Sequence, residues 1–207
     1  DPKSAAQIDA IVAHATEQGG RLLLTRLGAR KFSRLSVSAR KALDYDAVTR
    51  TAILGGLPAA RGTARVAIVC GGTSDLPVAR EAARTLAFEG EAATLLADMG
   101  VAGLWRLMER LDDIRRHRVV IAVAGMEGAL FSVLGGLVPC AVIAVPTSVG
   151  YGVAEGGRTA LHAALPELPR HHSVSLSADR GALRRVAGGA LRARWSVGSL
   201  ARRGLVH

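Results

Sequence analysis

Three short runs without a polar side chain constrain this chain more than anything else in it. They are Val66-Ala67-Ile68-Val69-Cys70, Val119-Val120-Ile121-Ala122-Val123 and Ala141-Val142-Ile143-Ala144-Val145. A strand apolar at every position has no face to offer water, so it must lie in a sheet covered on both sides. Between the runs, Leu76 to Phe88, Leu104 to Leu111 and Glu127 to Leu137 read as helices, and Ala92 to Ala97 as a further strand. Strands alternating with helices predict an α/β domain built on a parallel sheet. Right-handed crossovers then gather the turns that follow the strands along one edge. Those turns are Gly71 to Asp75, Asp98 to Gly103, Gly125 to Gly128 and Pro146 to Gly152, and they hold most of the chain's glycine and small polar residues.

The first of them, Gly71-Gly72-Thr73-Ser74-Asp75-Leu76-Pro77, fits a phosphorylated ribose. Glycines allow close backbone approach, and a helix start presents unpaired N–H groups to an anion. Thr73 and Ser74 add donors, while Asp75 is suited to capping the helix or binding sugar hydroxyls. The plain alternative is a capped strand-to-helix turn. In Gly125-Met126-Glu127-Gly128 the carboxylate is a general base if partial burial raises its pKa, or else an acid compensating the helix dipole. Pro146-Thr147-Ser148-Val149-Gly150-Tyr151-Gly152 has the hydroxyls and flexibility to close over a ligand, with Tyr151 packing on a ring; the alternative is a simple connection. Glu155-Gly156-Gly157 opens a helix carrying Ala160, Leu161 and Leu165.

Before the sheet, Ser4 predicts an N-cap for a helix bearing Ile8, Ile11 and Val12 and ending at Gly19-Gly20. Arg21 to Thr25 and Thr49 to Leu54 read as strands around a charged helical or loop segment, and residues 55 to 63 as a linker. Residues 1–62 form a small N-terminal α/β appendage, with its true start expected upstream of Asp1. Cys70 and Cys140 read as buried, inert thiols of a reducing compartment, and the cytoplasm is expected. No run of eighteen apolar residues is present, so no membrane span is expected. Zinc-ligand spacing, a phosphate-loop lysine motif, a Ser/His/Asp set and G-x-G-x-x-G after Val66 are all absent. Asp112 to Arg118 reads as a solvated helix end or a subunit contact, with His117 outside catalysis. The formal net charge is +10, but eight arginines against Asp179 give +7 from Arg170 onward, leaving +3 for the first 169 residues. The basic character belongs to a tail.

The stretches GGTSDLPVA, DMGVAGLWRL, RLDDIRRHRVVIAVAGMEGAL, GGLVPCAVIAVPTSVGYG and EGG together resemble the LarB family, densely from Val66 to Leu165 and weakly back to Ser4. That family is the carboxylase/hydrolase that opens nickel-pincer cofactor synthesis, and it is similar to PurE, the aminoimidazole ribonucleotide carboxylase. The resemblance implies a PurE-like, flavodoxin-like three-layer fold over residues 63–169 and a homo-oligomer, octameric by analogy. It implies nicotinic acid adenine dinucleotide as substrate and CO2 or bicarbonate as co-substrate, without a tightly bound cofactor; a divalent metal is left open. A thiolate adds to the pyridinium ring, C5 of the resulting enamine attacks CO2, a carboxylate removes the C5 proton, and the thiolate leaves. Hydrolysis of the phosphoanhydride then releases AMP and the biscarboxylated mononucleotide. Glu127 matches the base. Gly72, Thr73, Ser74, Asp75, Asp98, Gly125, Met126, Gly128, Ser148, Gly150, Tyr151 and Gly152 match the substrate-binding turns.

Two departures stand out. PurE carries a histidine just after its Gly-Ala turn, where this chain reads Gly128-Ala129-Leu130-Phe131-Ser132, which argues against purine-pathway chemistry. The family's nucleophilic cysteine is expected near Leu168, where the sequence is Glu167-Leu168-Pro169-Arg170-His171-His172, and no cysteine follows Cys140. Residues 170–207 read as a basic tail unlike the family. A reading-frame slip would account for it: if Glu167 to His172 are taken to be encoded by GAG CTG CCC CGG CAT CAC, a shift of one nucleotide yields Ser-Cys-Pro-Gly-Ile-Thr. The rival is a tail for RNA or another acidic partner in a non-catalytic protein, but it lacks interleaved aromatics. On the main reading no nucleic-acid or membrane partner is expected, and the chain as written binds nucleotide without carboxylating it.

Overall fold

The computed structural model describes residues 3–149, 157–167 and 173–174. The N-terminal unit begins with α1 (Ala5–Glu17), opened by a capping box in which Ser4 and Gln7 satisfy each other's backbone N–H groups. There follow β1 (Leu22–Leu24), α2 (Ala29–Phe32), α3 (Val37–Ala42), β2 (Asp44–Asp46) and β3 (Thr51–Leu54). The three strands pair antiparallel in the order β1-β3-β2. Ile8, Val12, Leu27, Leu35, Ala39, Leu43, Ala52 and Leu54 close its core.

The second unit alternates as expected: β4 (Val66–Cys70), α4 (Leu76–Phe88), β5 (Ala93–Leu96), α5 (Leu104–Glu109), α6 (Leu111–Arg115), β6 (Val119–Ala124), α7 (Ala129–Leu137), β7 (Ala141–Pro146), α8 (Arg158–Glu167) and β8 (Ser173–Val174). The sheet order is β5-β4-β6-β7-β8 and every neighbouring pair is parallel. Four longer strands carry it, with β8 a two-residue addition at the edge. The sheet therefore continues past residue 169, where the sequence reading closed the domain; the remainder of 170–207 lies outside the described residues.

Side-chain alternation divides the sheet between two cores. Ala67, Val69, Val120, Ala122, Val142 and Ala144 pack with Leu107, Leu111, Ile114, Leu130, Phe131, Leu134, Ala160 and Ala164 on one face. Val66, Ile68, Cys70, Val119, Ile121, Val123, Ile143 and Val145 meet Ala79, Ala82 and Leu86 of α4 on the other. This is the three-layer flavodoxin-like arrangement. Among the described residues no helix is long and apolar enough to cross a membrane.

Within the larger unit two helices differ from expectation, and in the smaller one β2 is a strand where the sequence reads as a helical or loop segment. The single helix from Leu104 to Leu111 is two short ones that break at Arg110, whose backbone is not helical. The helix expected from Glu127 starts at Ala129, because Gly128 takes a left-handed conformation before it. A Cβ there would lie 3.0 Å from Ala160 Cα and 3.0 Å from a Phe131 ring carbon, so glycine also permits the close approach of α7 and α8.

The two units meet along α4. The Arg84 guanidinium donates to Thr51 Oγ1 at 2.8 Å and to both the carbonyl and a carboxylate oxygen of Asp44 at 3.1 Å. Arg21 donates to the Phe88 carbonyl and lies 4.4 Å above the Phe88 ring. Glu81, on the same helix, is pushed up by burial, an effect opposed by the charges of Arg26 and Arg50.

Candidate active site at the strand ends

Because all the strands of the larger sheet run parallel, their C-terminal ends bring four turns to one edge. The turns are tied to one another by the backbone. Gly71 N–H donates to Val123 O at 2.8 Å, Met99 N–H to Cys70 O at 2.9 Å, and Thr147 N–H to Ala124 O at 2.9 Å. Gly100 sits so close to the first turn that a Cβ on it would lie 2.7 Å from the Gly71 carbonyl oxygen.

Thr73 to Asp75 form one 3-10 turn ahead of α4, in which Thr73 and Ser74 are exposed. Asp75 behaves differently from expectation. Its side chain does not cap α4, and it is only 5% exposed. One oxygen accepts the Gly72 N–H at 3.1 Å, and the other accepts the Thr147 hydroxyl at 2.5 Å. Burial pushes its pKa up, while hydrogen bonds from Thr147, Gly72 and Gly125 pull the other way. The carboxylate is thus turned inward, because Thr147 and the glycine amides offer it donors that water would otherwise supply.

The turn after β6 is the most constrained. Gly125 is buried, and Met126 holds φ +52°, a conformation that side-chain-bearing residues rarely adopt. Met126 N–H donates to Val149 O at 2.7 Å, and Gly128 N–H to Gly125 O at 3.0 Å. Glu127 stands between these two fixed residues. It is exposed, without the partial burial on which the general-base alternative depended, since the turn carries it off the sheet before α7 begins. The turn after β7 contributes buried Thr147 and half-buried Ser148; Gly150, Tyr151 and Gly152 lie outside the described residues.

Asp98, after β5, also has a positive φ, +60°. Its carbonyl accepts Arg106 Nε at 2.8 Å and its carboxylate faces the same guanidinium at 3.3 Å. Sequence reasoning passed over Arg106. Gly103 betrays it: a Cβ there would lie 2.5 Å from the guanidinium carbon, so this glycine makes room for the arginine.

Neither thiol suits nucleophilic attack. Cys70 lies at the site edge but is fully buried, its Sγ meets the Gly72 carbonyl at 3.1 Å, and burial reinforced by the charge of Asp75 raises its pKa to about 12. Cys140 precedes β7 and so sits at the opposite edge, about 20 Å away across six strand residues. Burial raises its pKa as well. Among the described residues no group of three or more His, Cys, Asp or Glu side chains is placed to hold a metal. His117 bridges the Asp113 carbonyl and Thr94 Oγ1, both at 2.9 Å, away from the strand ends.

A sequence model of the AIR carboxylase family matches residues 65–178, which takes in every strand of the larger sheet and all four turns. An uncharacterized protein of Methanocaldococcus jannaschii is 47% identical over 91 residues, 43% of this chain. The match spans 36% of that protein's length.

Proposed function

Since this chain belongs to the AIR carboxylase family, we propose that its strand-end site binds a nucleotide and serves the LarB-type reaction on nicotinic acid adenine dinucleotide. In that reaction, once a nucleophile has added to the pyridinium ring, C5 gains a bond to CO2 and gives up its proton to a carboxylate as the nucleophile leaves; this chain has the carboxylate, Glu127, and lacks the nucleophile. The observation that carries this reading is Glu127 itself, an exposed acid whose backbone is held between Met126 at φ +52° and Gly128 at φ +70° on the same sheet edge as the Gly71–Ser74 turn. A backbone so held presents the acid from one place at that edge. Gly72, Thr73 and Ser74 take the phosphate and ribose; Gly125, Met126, Gly128 and Ser148 border the ring. Asp98 joins them from the turn after β5, with the Arg106 guanidinium held on its carbonyl and carboxylate.

The proposal includes self-association into a homo-oligomer. Leu104, Trp105 and Met108 of α5 are 40%, 61% and 47% exposed, an apolar surface that a second copy would cover. It also includes the absence of turnover by the chain as written. The C5 carbon of a pyridinium is electrophilic until a nucleophile adds to the ring, and Cys70 and Cys140 are respectively sealed and at the far edge.

Calorimetry with nicotinic acid adenine dinucleotide, and mass spectrometry after incubation with bicarbonate, test both parts. Binding without a carboxylated product is expected. Failure to bind would remove the substrate assignment, and robust product would remove the claim of inactivity. Turnover of aminoimidazole ribonucleotide in the same assay would return the site to purine chemistry.

A further inference from the structure

Asp75 and Thr147 are 72 residues apart in sequence, yet among the described residues they make the shortest hydrogen bond between the turns at this edge. Their bond begins a continuous path. Thr147 Oγ1 donates to Asp75 and accepts the Val149 N–H at 3.4 Å; the Val149 carbonyl accepts the Met126 N–H at 2.7 Å; Met126 leads directly into Glu127. Gly125 completes the enclosure, since a Cβ on it would lie 2.7 Å from Thr147 Oγ1 and collide with the Val149 carbonyl.

We propose that Asp75 and Thr147 are positioning residues for Glu127, acting through Val149 and Met126. The inference rests on the reading of Glu127 as the group that meets the substrate ring. It assigns Asp75 a task in the build of the site itself. With its oxygens engaged by Gly72 and Thr147 and the side chain buried, the carboxylate anchors the turns to one another. The strained backbone at Met126 makes the anchor necessary. A left-handed methionine persists only where its surroundings over-determine it. Here the determinant is the Val149 carbonyl, which stays in place because the adjacent amide is held by Thr147. Valine at 147 preserves shape and removes the hydroxyl, so Asp75 loses a donor and Val149 N–H an acceptor at one stroke. Serine keeps both.

Amide hydrogen exchange on the whole chain reads the positioning without any need for turnover. In Thr147→Val the Met126 amide should exchange about five- to tenfold faster, the opening expected when one hydrogen bond is lost. Ile68 and Ile121, in the sheet, should keep wild-type protection, and Thr147→Ser should restore Met126. Unchanged Met126 exchange overturns the proposal, and so does equal acceleration at Ile68 and Ile121, which would mean general loosening. Substrate affinity supplies the second arm through a double-mutant cycle with Glu127→Gln. If Thr147 acts through Glu127, the affinity lost in Thr147→Val should vanish in the Glu127→Gln background; additive losses overturn the coupling. If the wild type fails to bind the dinucleotide, the substrate assignment falls while the exchange measurement still decides the anchor.

Discussion

Replacing Gly125 by alanine tests how tightly the strand-end turns are assembled. The φ of Gly125 is not in the left-handed region, so alanine carries no backbone penalty there and the whole effect is steric. The added methyl would strike the Val149 carbonyl, lie 3.0 Å from the Val149 carbonyl carbon, and approach Thr147 Oγ1 to 2.7 Å. These neighbours are mostly backbone and cannot swing aside. Overpacking of this kind costs roughly 1–3 kcal/mol. Displacing Val149 and Thr147 also weakens the Met126 to Val149 and Thr147 to Asp75 hydrogen bonds, each worth about 1 kcal/mol. The total, about 3–5 kcal/mol, is a large part of the stability of an ordinary domain. Urea unfolding followed by circular dichroism should show a lower midpoint at unchanged slope. Gly136→Ala is the matched control: a Cβ there meets nothing within 4 Å, and the position is helical, so a gain of about 0.5–1 kcal/mol is expected. If Gly125→Ala unfolds at the wild-type midpoint, the turns are loose and the account of Glu127 as a fixed group is refuted.

Other substitutions probe single groups. The carboxyl of Asp75 is raised mainly by burial, so its contribution to stability is full below the ordinary aspartate pKa of about 3.9 and is lost as pH rises through the higher folded value. The melting temperature of wild type minus that of Asp75→Asn should therefore fall between pH 4 and neutrality, and a flat difference would contradict the shift. Iodoacetamide at pH 8 should leave Cys70 unlabelled in the native protein and modify it readily in urea; rapid native labelling would contradict its burial and its pKa near 12. Trp105→Glu should lower the mass measured by light scattering coupled to gel filtration, by placing a charge on the apolar surface of α5; an unchanged mass would locate self-association elsewhere.

Much of the fold was readable because the signals are local. Ser4 and Gln7 stand at capping-box spacing, and β4, β6 and β7 are apolar at every position. The break at Arg110 was hidden, since Leu104, Leu107, Leu111 and Ile114 keep helical spacing across it. Strand β2 was hidden because Asp44-Tyr45-Asp46 has little strand preference and pairs only through β3. At the site, composition disclosed which turns matter but not how their side chains are shared. Nothing near Asp75 announces Thr147, and an acid after Gly-Gly-Thr-Ser reads equally well as a cap. The exposure of Glu127 depended on where α7 begins, which Gly128 decides through its backbone conformation.

The clasp made by Arg84 bears on how this chain comes apart. A single side chain from the first helix of the larger unit is bonded to two strands of the smaller one, at Thr51 and Asp44. When the small sheet melts, that guanidinium loses three acceptors at once, and the side of α4 that carries Arg84 loses its cover. The two units should therefore share one calorimetric transition, with an enthalpy matching the van't Hoff value. Ligand bound at the strand ends would then raise the melting point of a three-stranded sheet it never touches.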